Sequence, residues 1–158
     1  MNLPALQEQL RSLRLGHFSQ ALEQQQSQVT TYDEMSFEER LGLLAQHEIL
    51  CRQNTKIKRL IRQAKMRLDA HASRLDYRAE RGLRKDKTAT LLSGQYLHYA
   101  HNIIITGATG CGKTYLACAL GNQHCQQGRS VNYFRLKELL EKMYLSQADG
   151  SYRKFINK

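Results

Sequence analysis

The chain has 158 residues, 41% of them apolar and 24% charged, which is an ordinary composition for a water-soluble globular protein. This length allows one domain with a core, or a small helical domain followed by part of a larger one. No apolar run approaches the roughly 18 to 20 residues of a membrane-spanning helix, and the first residues do not resemble a secretory signal, so we expect a cytoplasmic protein without membrane contact.

The net charge of +10 is unevenly distributed, and most of the excess lies between Cys51 and Lys87. Such a basic segment attracts polyanions, because contacts from Lys and Arg to phosphates supply the sequence-independent part of nucleic-acid affinity. A solvated helix face without a ligand is the alternative, and both interpretations stay open. The DNA-binding candidates are Arg52, Lys56, Lys58, Arg59, Arg62, Lys65 and Arg67.

The four cysteines form no Cys-x-x-Cys pair, so the sequence predicts neither a zinc site nor a disulfide framework.

Helices are predicted in the N-terminal half. Leu and Phe recur at spacings of three to five between residues 3 and 26, which indicates one amphipathic helix, and a polar stretch after it is interpreted as a linker. Ser36 and Glu39 have the spacing of a capping box, which predicts the start of a second helix about thirty residues long. Gln53-Asn54 is the place where this helix could break.

The pattern changes in the second half. Between Ala70 and Lys87 the helical periodicity is lost, Gly82 is the predicted break, and we place a domain boundary in this region. The β-branched run at 102–106 predicts a buried parallel strand. The full predicted order is a short helix at 88–92, a strand at 102–106, a helix at 113–127, a strand at 130–134 and a helix at 136–145. This order predicts an α/β fold preceded by an α-helical domain.

One motif carries chemistry. The octapeptide Gly107-Ala108-Thr109-Gly110-Cys111-Gly112-Lys113-Thr114 matches G-x-x-x-x-G-K-[ST], a phosphate-binding P-loop. The glycines let backbone N–H groups surround a phosphate, and the following helix adds its positive end. Lys113 is expected to contact the β- and γ-phosphates, and the Thr114 hydroxyl to bind Mg²⁺. The motif therefore predicts ATP as the ligand, with Mg²⁺.

Hydrolysis of ATP needs an additional acid on a neighbouring strand to hold Mg²⁺ and to position water. Only Glu138, Glu141 and Asp149 follow Thr114; the first two lie in a predicted helix and the third in a turn. No catalytic residue is therefore assigned.

Several segments together resemble one family. SFEERLGLL, the basic helix, DYRAERGL, NIIITGATGCGKTYLACALG and ADGSY are similar, in this order, to the IstB family of transposition helper ATPases. These are P-loop NTPases of the AAA+ class, related to the DnaC-type helicase loaders. Gly107, Gly110, Gly112, Lys113 and Thr114 match the phosphate-binding loop of the family.

The resemblance implies an ATP-binding protein that binds double-stranded DNA, assists the transposase of an insertion sequence and forms a homo-oligomer when full length. It divides the chain into a helical DNA- or partner-binding domain at 1–72 and the N-terminal part of an AAA+ domain at 73–158. The family's Mg²⁺-binding acids, arginine finger and lid would lie beyond Lys158, so we expect a C-terminally truncated member. A DnaC-like helicase-loader relative and an inactive DNA-binding remnant are the alternatives.

Overall fold

The computed structural model describes residues 3–78 and 82–156, and the regular elements in these ranges are all helical. The chain divides into two compact units, Met1–Lys58 and Arg59–Lys158. The helices are α1 Leu3–Ser12, α2 Gly16–Ser27, α3 Val29–Tyr32, α4 Phe37–Ala64, α5 Lys85–Ser93, α6 Gln95–His98, α7 Lys113–Gln126, α8 Leu136–Ala148 and α9 Tyr152–Ile156, with a 3₁₀ turn at Ala72–Arg74.

The first unit begins with two helices where the sequence predicted one. The chain turns between α1 and α2, where Arg14 takes a left-handed φ of 60° and the N–H of Leu15 bonds to the carbonyl of Leu10 at 2.8 Å. Gly16 follows directly, and glycine is a poor residue for a helix interior. The polar stretch that was interpreted as a linker is also largely helical, because it contains the end of α2 and all of α3.

Helix α4 begins as the sequence predicted. The Glu39 carboxylate accepts a hydrogen bond from the Ser36 N–H at 2.8 Å, and the Ser36 hydroxyl accepts one from the Glu39 N–H at 3.2 Å. These reciprocal bonds confirm the capping box. The helix then runs without a break through Gln53-Asn54 to Ala64.

The core of the first unit contains a buried acid. Glu48 is 5% exposed, on the same helix as the buried Leu44. Its carboxylate accepts hydrogen bonds from the Phe18 N–H of α2 and from the Arg52 Nε one turn along α4, at 2.7 and 2.6 Å. A second bond joins the same two helices, from the Gln25 side chain to the Arg40 carbonyl at 3.1 Å. Polar contacts therefore connect α2 to α4.

The second unit is organised around α7. One core cluster consists of Leu60, Ala64 and Cys125, and a second of Ala70, Cys118 and Ala119, with Met66 packed against both. Buried Asn122 of α7 donates a hydrogen bond to the Ala70 carbonyl at 2.9 Å. The predicted helices at 88–92, 113–127 and 136–145 are confirmed as α5, α7 and α8, with left-handed Gly94 and Gly128 after the first two.

The predicted strands are wrong, and with them the α/β fold class. Neither 102–106 nor 130–134 forms a strand in the part of the chain that the structure describes. Ile104 is 85% exposed, and the Tyr133 N–H bonds at 2.9 Å to the Ala64 carbonyl at the end of α4. A strand exists only through hydrogen bonds to a neighbouring strand. Three residues of these unpaired segments, Ile103, Ile105 and Val131, line a cavity beside α7.

The domain division at residues 72 and 73 stays a prediction, since compactness does not test what each part binds. Residues 79–81 of the predicted boundary region lie outside the described ranges.

Candidate functional site

The octapeptide 107–114 forms a tight turn that leads directly into α7. Gly107, Gly110 and Gly112 have φ angles of 151°, 83° and 91°, in the region that favours glycine. Gly112 is the N-cap of α7, and its carbonyl accepts the N–H of Leu116 at 3.0 Å. The glycines of the motif therefore stand where the backbone requires them.

The side chain of Lys113 folds back over this turn. Its ammonium donates hydrogen bonds to the carbonyls of Gly107 and Ala108, at 2.8 and 2.6 Å. These bonds hold a positive charge above the residues that begin the loop. An ammonium has three donors, and a charge-assisted bond to phosphate is stronger than one to a neutral carbonyl, so a phosphate can compete for this group.

Close packing within the loop leaves no room for a side chain at Gly107. A Cβ placed there would lie 2.9 Å from the Cys111 sulfur. The same sulfur is 3.8 Å from the Lys113 nitrogen, so Cys111 bridges the space between the first and last parts of the loop. Cys111 itself is exposed.

The N-terminus of α7 places the positive end of its helix dipole at the loop. The helix is 14 residues long, and its first turn, which begins at Lys113, contains no acidic residue that would neutralise the positive end of the helix dipole. Thr114 is the second residue of α7, beside Lys113. Left-handed glycines, a helix N-terminus and an ammonium together fit the polyphosphate of a nucleotide.

The fit to Mg²⁺ depends on one side chain, the Thr114 hydroxyl. Within residues 3–78 and 82–156, no three His, Cys, Asp or Glu side chains gather as a metal site. Mg²⁺ does not need such a cage, because it keeps several waters and takes the remaining oxygens from phosphates. The role of Thr114 is therefore compatible with the loop, conditional on a bound nucleotide.

Two of the three acids that follow the loop, Glu138 and Asp149, have other contacts. Glu138 of α8 lies 3.8 Å from Arg135, and Asp149 accepts the N–H of Ser151 at 2.8 Å. Hydrogen bonds from the Ser151 side chain and backbone hold the pKa of Asp149 below its ordinary value. Asp149 thus caps a turn, as its sequence context indicated.

The seven DNA-binding candidates are all at the surface, but one of them has hydrogen bonds within the chain that give it a structural role. All seven residues are exposed. Arg52, however, donates to the buried Glu48 carboxylate and also to the carbonyl of Arg14. Sequence reasoning grouped Arg52 with the DNA-binding candidates, although a Glu four residues earlier on a helix is a signal for an ion pair. Arg52 therefore has a structural role in the first unit.

Comparison with known proteins places the chain in a family of ATP-binding proteins. The chain belongs to the family of IstB-like ATP-binding proteins, whose family model matches residues 8–158. The “Insertion sequence IS1162 putative ATP-binding protein” of Pseudomonas fluorescens is 43% identical over 145 residues, which make up 91% of this chain and 62% of that protein. The “Putative insertion sequence ATP-binding protein y4pL” of Sinorhizobium fredii is 38% identical over 120 residues, 76% of this chain and 49% of that protein.

A more distant relative is the “Putative ATP-binding protein Rv3427c in insertion sequence” of Mycobacterium tuberculosis, 28% identical over 94% of this chain and 59% of its own length. The chain thus spans about half to three fifths of these relatives. The predicted family is confirmed. In the described part of the chain, none of the helices has the length and apolar character needed to cross a membrane.

Proposed function

We propose that this chain binds ATP with Mg²⁺ through residues 107–114 and acts as a cytoplasmic helper in the transposition of an insertion sequence. The observation that carries the proposal is the position of the Lys113 ammonium, above a turn of left-handed glycines at the N-terminus of α7. In this proposal the loop N–H groups and the helix end bind the β-phosphate, Lys113 bridges the β- and γ-phosphates, and Thr114 binds the metal.

With a nucleotide bound, Lys113 would exchange its bonds to the carbonyls of Gly107 and Ala108 for bonds to the phosphates. The carbonyl bonds hold the ammonium at the loop. The Cys111 sulfur lies 3.8 Å from the Lys113 nitrogen and occupies the space that a Cβ at Gly107 would need. This part of the chain performs binding, and no residue of it is assigned to the hydrolysis step.

Double-stranded DNA is the proposed polyanionic partner of the basic segment. Lys56, Lys58, Arg59, Arg62, Lys65 and Arg67 are exposed, so their charges are accessible to phosphates. Contacts of this kind bind DNA without reading its sequence. The names of the relatives support a role in an insertion sequence, and we extend this role to assistance of the transposase and to assembly into a homo-oligomer.

The test is ATP binding by the purified chain with Mg²⁺, measured by calorimetry or with a fluorescent ATP analogue, together with phosphate release. We expect Lys113→Ala to lose binding and Lys137→Ala to retain it. Lys137 is a matched control because it is an exposed lysine in the first turn of α8, outside any glycine loop. Equal binding by the two variants would contradict the proposed role of the loop.

A further inference from the structure

The turn between the first two helices lies against the basic part of α4. The guanidinium of Arg52 donates a hydrogen bond to the carbonyl oxygen of Arg14 at 2.5 Å, although 38 residues separate them. The Arg14 N–H bonds to the Arg11 carbonyl at 2.9 Å, so Arg11 belongs to the same turn. These residues all lie in the compact unit Met1–Lys58. The tertiary structure therefore brings two further arginines to the start of the basic segment.

The charges of this turn are exposed and are not balanced by acids. Arg11 and Arg14 are both exposed, and the sequence has no acidic residue between Glu8 and Glu23. Neither arginine side chain has a hydrogen bond or an ion pair in the part of the chain that the structure describes. Exposed guanidinium groups without a carboxylate partner are suited to phosphate, which they contact through parallel N–H donors.

The positive surface continues from the turn along α4. Lys56 follows Arg52 by four residues, which places it about 6 Å further along the helix on the same side. Lys56 is exposed, and the sequence has no acidic residue between Glu48 and Asp69. Glu48 itself is only 5% exposed, so it adds little negative charge to the surface. We define the composite basic surface by Arg11, Arg14, Arg52 and Lys56.

The backbone of the turn gives a second, independent observation. Arg14 has a φ of 60°, in the left-handed region that is unfavourable for residues other than glycine. Gly16 is two residues away but does not take a positive φ. A strained backbone position that carries a long cationic side chain favours a functional role for that side chain.

We propose that Arg11 and Arg14 extend the DNA-binding surface and contact phosphates of the same duplex as Lys56. Arg52 holds the turn beside α4 through its bond to the Arg14 carbonyl. Duplex DNA fits this surface because its closely spaced phosphates offer a partner to each of several neighbouring cations. The inference rests on the proposed DNA binding of the basic segment, and it adds a second segment of the chain to that surface.

The test is the affinity of the full chain for a fluorescent duplex, measured by anisotropy at several salt concentrations. Arg11→Gln and Arg14→Gln should each reduce the slope of log affinity against log salt by about 1, the loss of one phosphate contact. Arg14→Lys should keep the slope, because the charge remains. Arg40→Gln is the matched control, since this arginine of the same unit follows Glu38 and Glu39 at the start of α4. It should leave the slope unchanged.

Arg14→Gly separates a role in DNA binding from a role in the turn. Glycine adopts a φ of 60° without strain, so this variant should unfold at a higher urea concentration than the wild-type chain. It should nevertheless lose one phosphate contact, with the same reduction of the slope as Arg14→Gln. A gain in stability with the wild-type slope would show that Arg14 only forms the turn, and would overturn the proposal.

Lys56→Gln distinguishes failure of this inference from failure of the proposed function. No duplex binding by the wild-type chain, or a wild-type slope in Lys56→Gln, would contradict DNA binding by the basic segment and the composite basic surface with it. A reduced slope in Lys56→Gln, beside unchanged slopes in Arg11→Gln and Arg14→Gln, would overturn the contribution of the turn alone. Polyglutamate that binds as tightly as the duplex at equal salt would overturn the assignment to DNA.

Discussion

The carboxylate of Glu48 accepts the backbone N–H of Phe18 at 2.7 Å, although 30 residues separate them in the chain. This bond joins α2 to α4, and the Arg52 Nε lies 2.6 Å from the other oxygen of the same carboxylate. Burial by itself raises the pKa of Glu48, but the bonds from Arg52 and Phe18 outweigh it and lower the pKa below its ordinary value of 4.5.

A lowered pKa makes the stability of the first unit depend on pH. Charged Glu48 is stabilised by folding, so its contribution is complete above the carboxyl pKa of the unfolded chain and is lost as the pH falls through the lower pKa of the folded chain. We expect the free energy of unfolding to decrease over this acidic range. Glu48→Gln should make the decrease shallower and should destabilise the chain by about 1 to 3 kcal/mol at neutral pH.

Urea titrations at several pH values, followed by circular dichroism, measure this effect. Glu38→Gln is the control, because Glu38 is an exposed acid in the first turn of the same helix. A pH dependence that is the same for Glu48→Gln and the wild-type chain would contradict the assignment.

The second prediction concerns the start of α4. Ser36→Ala removes the hydroxyl that accepts the Glu39 N–H, and we expect a loss of about 1 kcal/mol, within the usual range for an N-cap. Ser12→Ala is the comparison, because its hydroxyl only bonds back to the Gln9 carbonyl at the end of α1. Chemical denaturation should separate the two variants, and equal losses would mean that the capping box contributes nothing specific.

The third prediction compares two glycines. Gly107→Ala places a methyl group 2.9 Å from the Cys111 sulfur at a φ of 151°, so the loop must change shape and ATP binding should be lost. Gly42→Ala adds its methyl group in open space within α4 and should stabilise the helix by about 0.5 to 1 kcal/mol. ATP titrations and thermal melts of both variants test this contrast. Normal ATP binding by Gly107→Ala would remove the loop from the proposal.

The fourth prediction concerns DNA. If the basic segment contacts phosphates, affinity for duplex DNA should fall steeply with salt and depend little on sequence. Lys56→Gln and Lys58→Gln should each reduce the slope of log affinity against log salt by about 1. Lys137→Gln, outside the segment, should leave the slope unchanged. Fluorescence anisotropy at several salt concentrations gives the slopes. Binding that is insensitive to salt would contradict the phosphate contacts, and absence of binding would favour the solvated helix face.

Arg52 needs separate treatment in that experiment. Its guanidinium holds the buried Glu48 carboxylate, so Arg52→Gln is expected to lower the stability of the first unit as well as its charge. Its effect on DNA binding is therefore interpretable only beside a measured unfolding free energy.

Sequence patterns predicted those helix ends that depend on residues close together in the chain. The capping box at Ser36 and Glu39, the start of α7 at Lys113 and the end of α5 at Gly94 all follow from bonds between residues a few positions apart. The sequence did not predict the break at Arg14, because the apolar spacing continues across this residue although the helix ends before it. Amphipathic spacing alone does not report a reversal of the backbone.

The sequence predicted which residues form the candidate site, but not how their side chains are arranged. The motif identified the glycines, Lys113 and Thr114, and the family was read from the same segments that the family model matches. Only the three-dimensional structure shows that Lys113 folds back onto two carbonyls and that the Cys111 sulfur fills the space beside Gly107, since both depend on the path of the loop.

The sequence by itself determined the family, the position of the glycine loop and the starts of α4, α7 and α8, because each depends on local spacing. Only the tertiary structure decided that 102–106 and 130–134 are not paired as strands in the described residues, and that the Tyr133 N–H bonds to the Ala64 carbonyl. A helix satisfies its hydrogen bonds within one segment, whereas a strand needs a second segment beside it. The same dependence on distant residues explains why the pairing of Glu48 with Phe18 could not be read from the sequence.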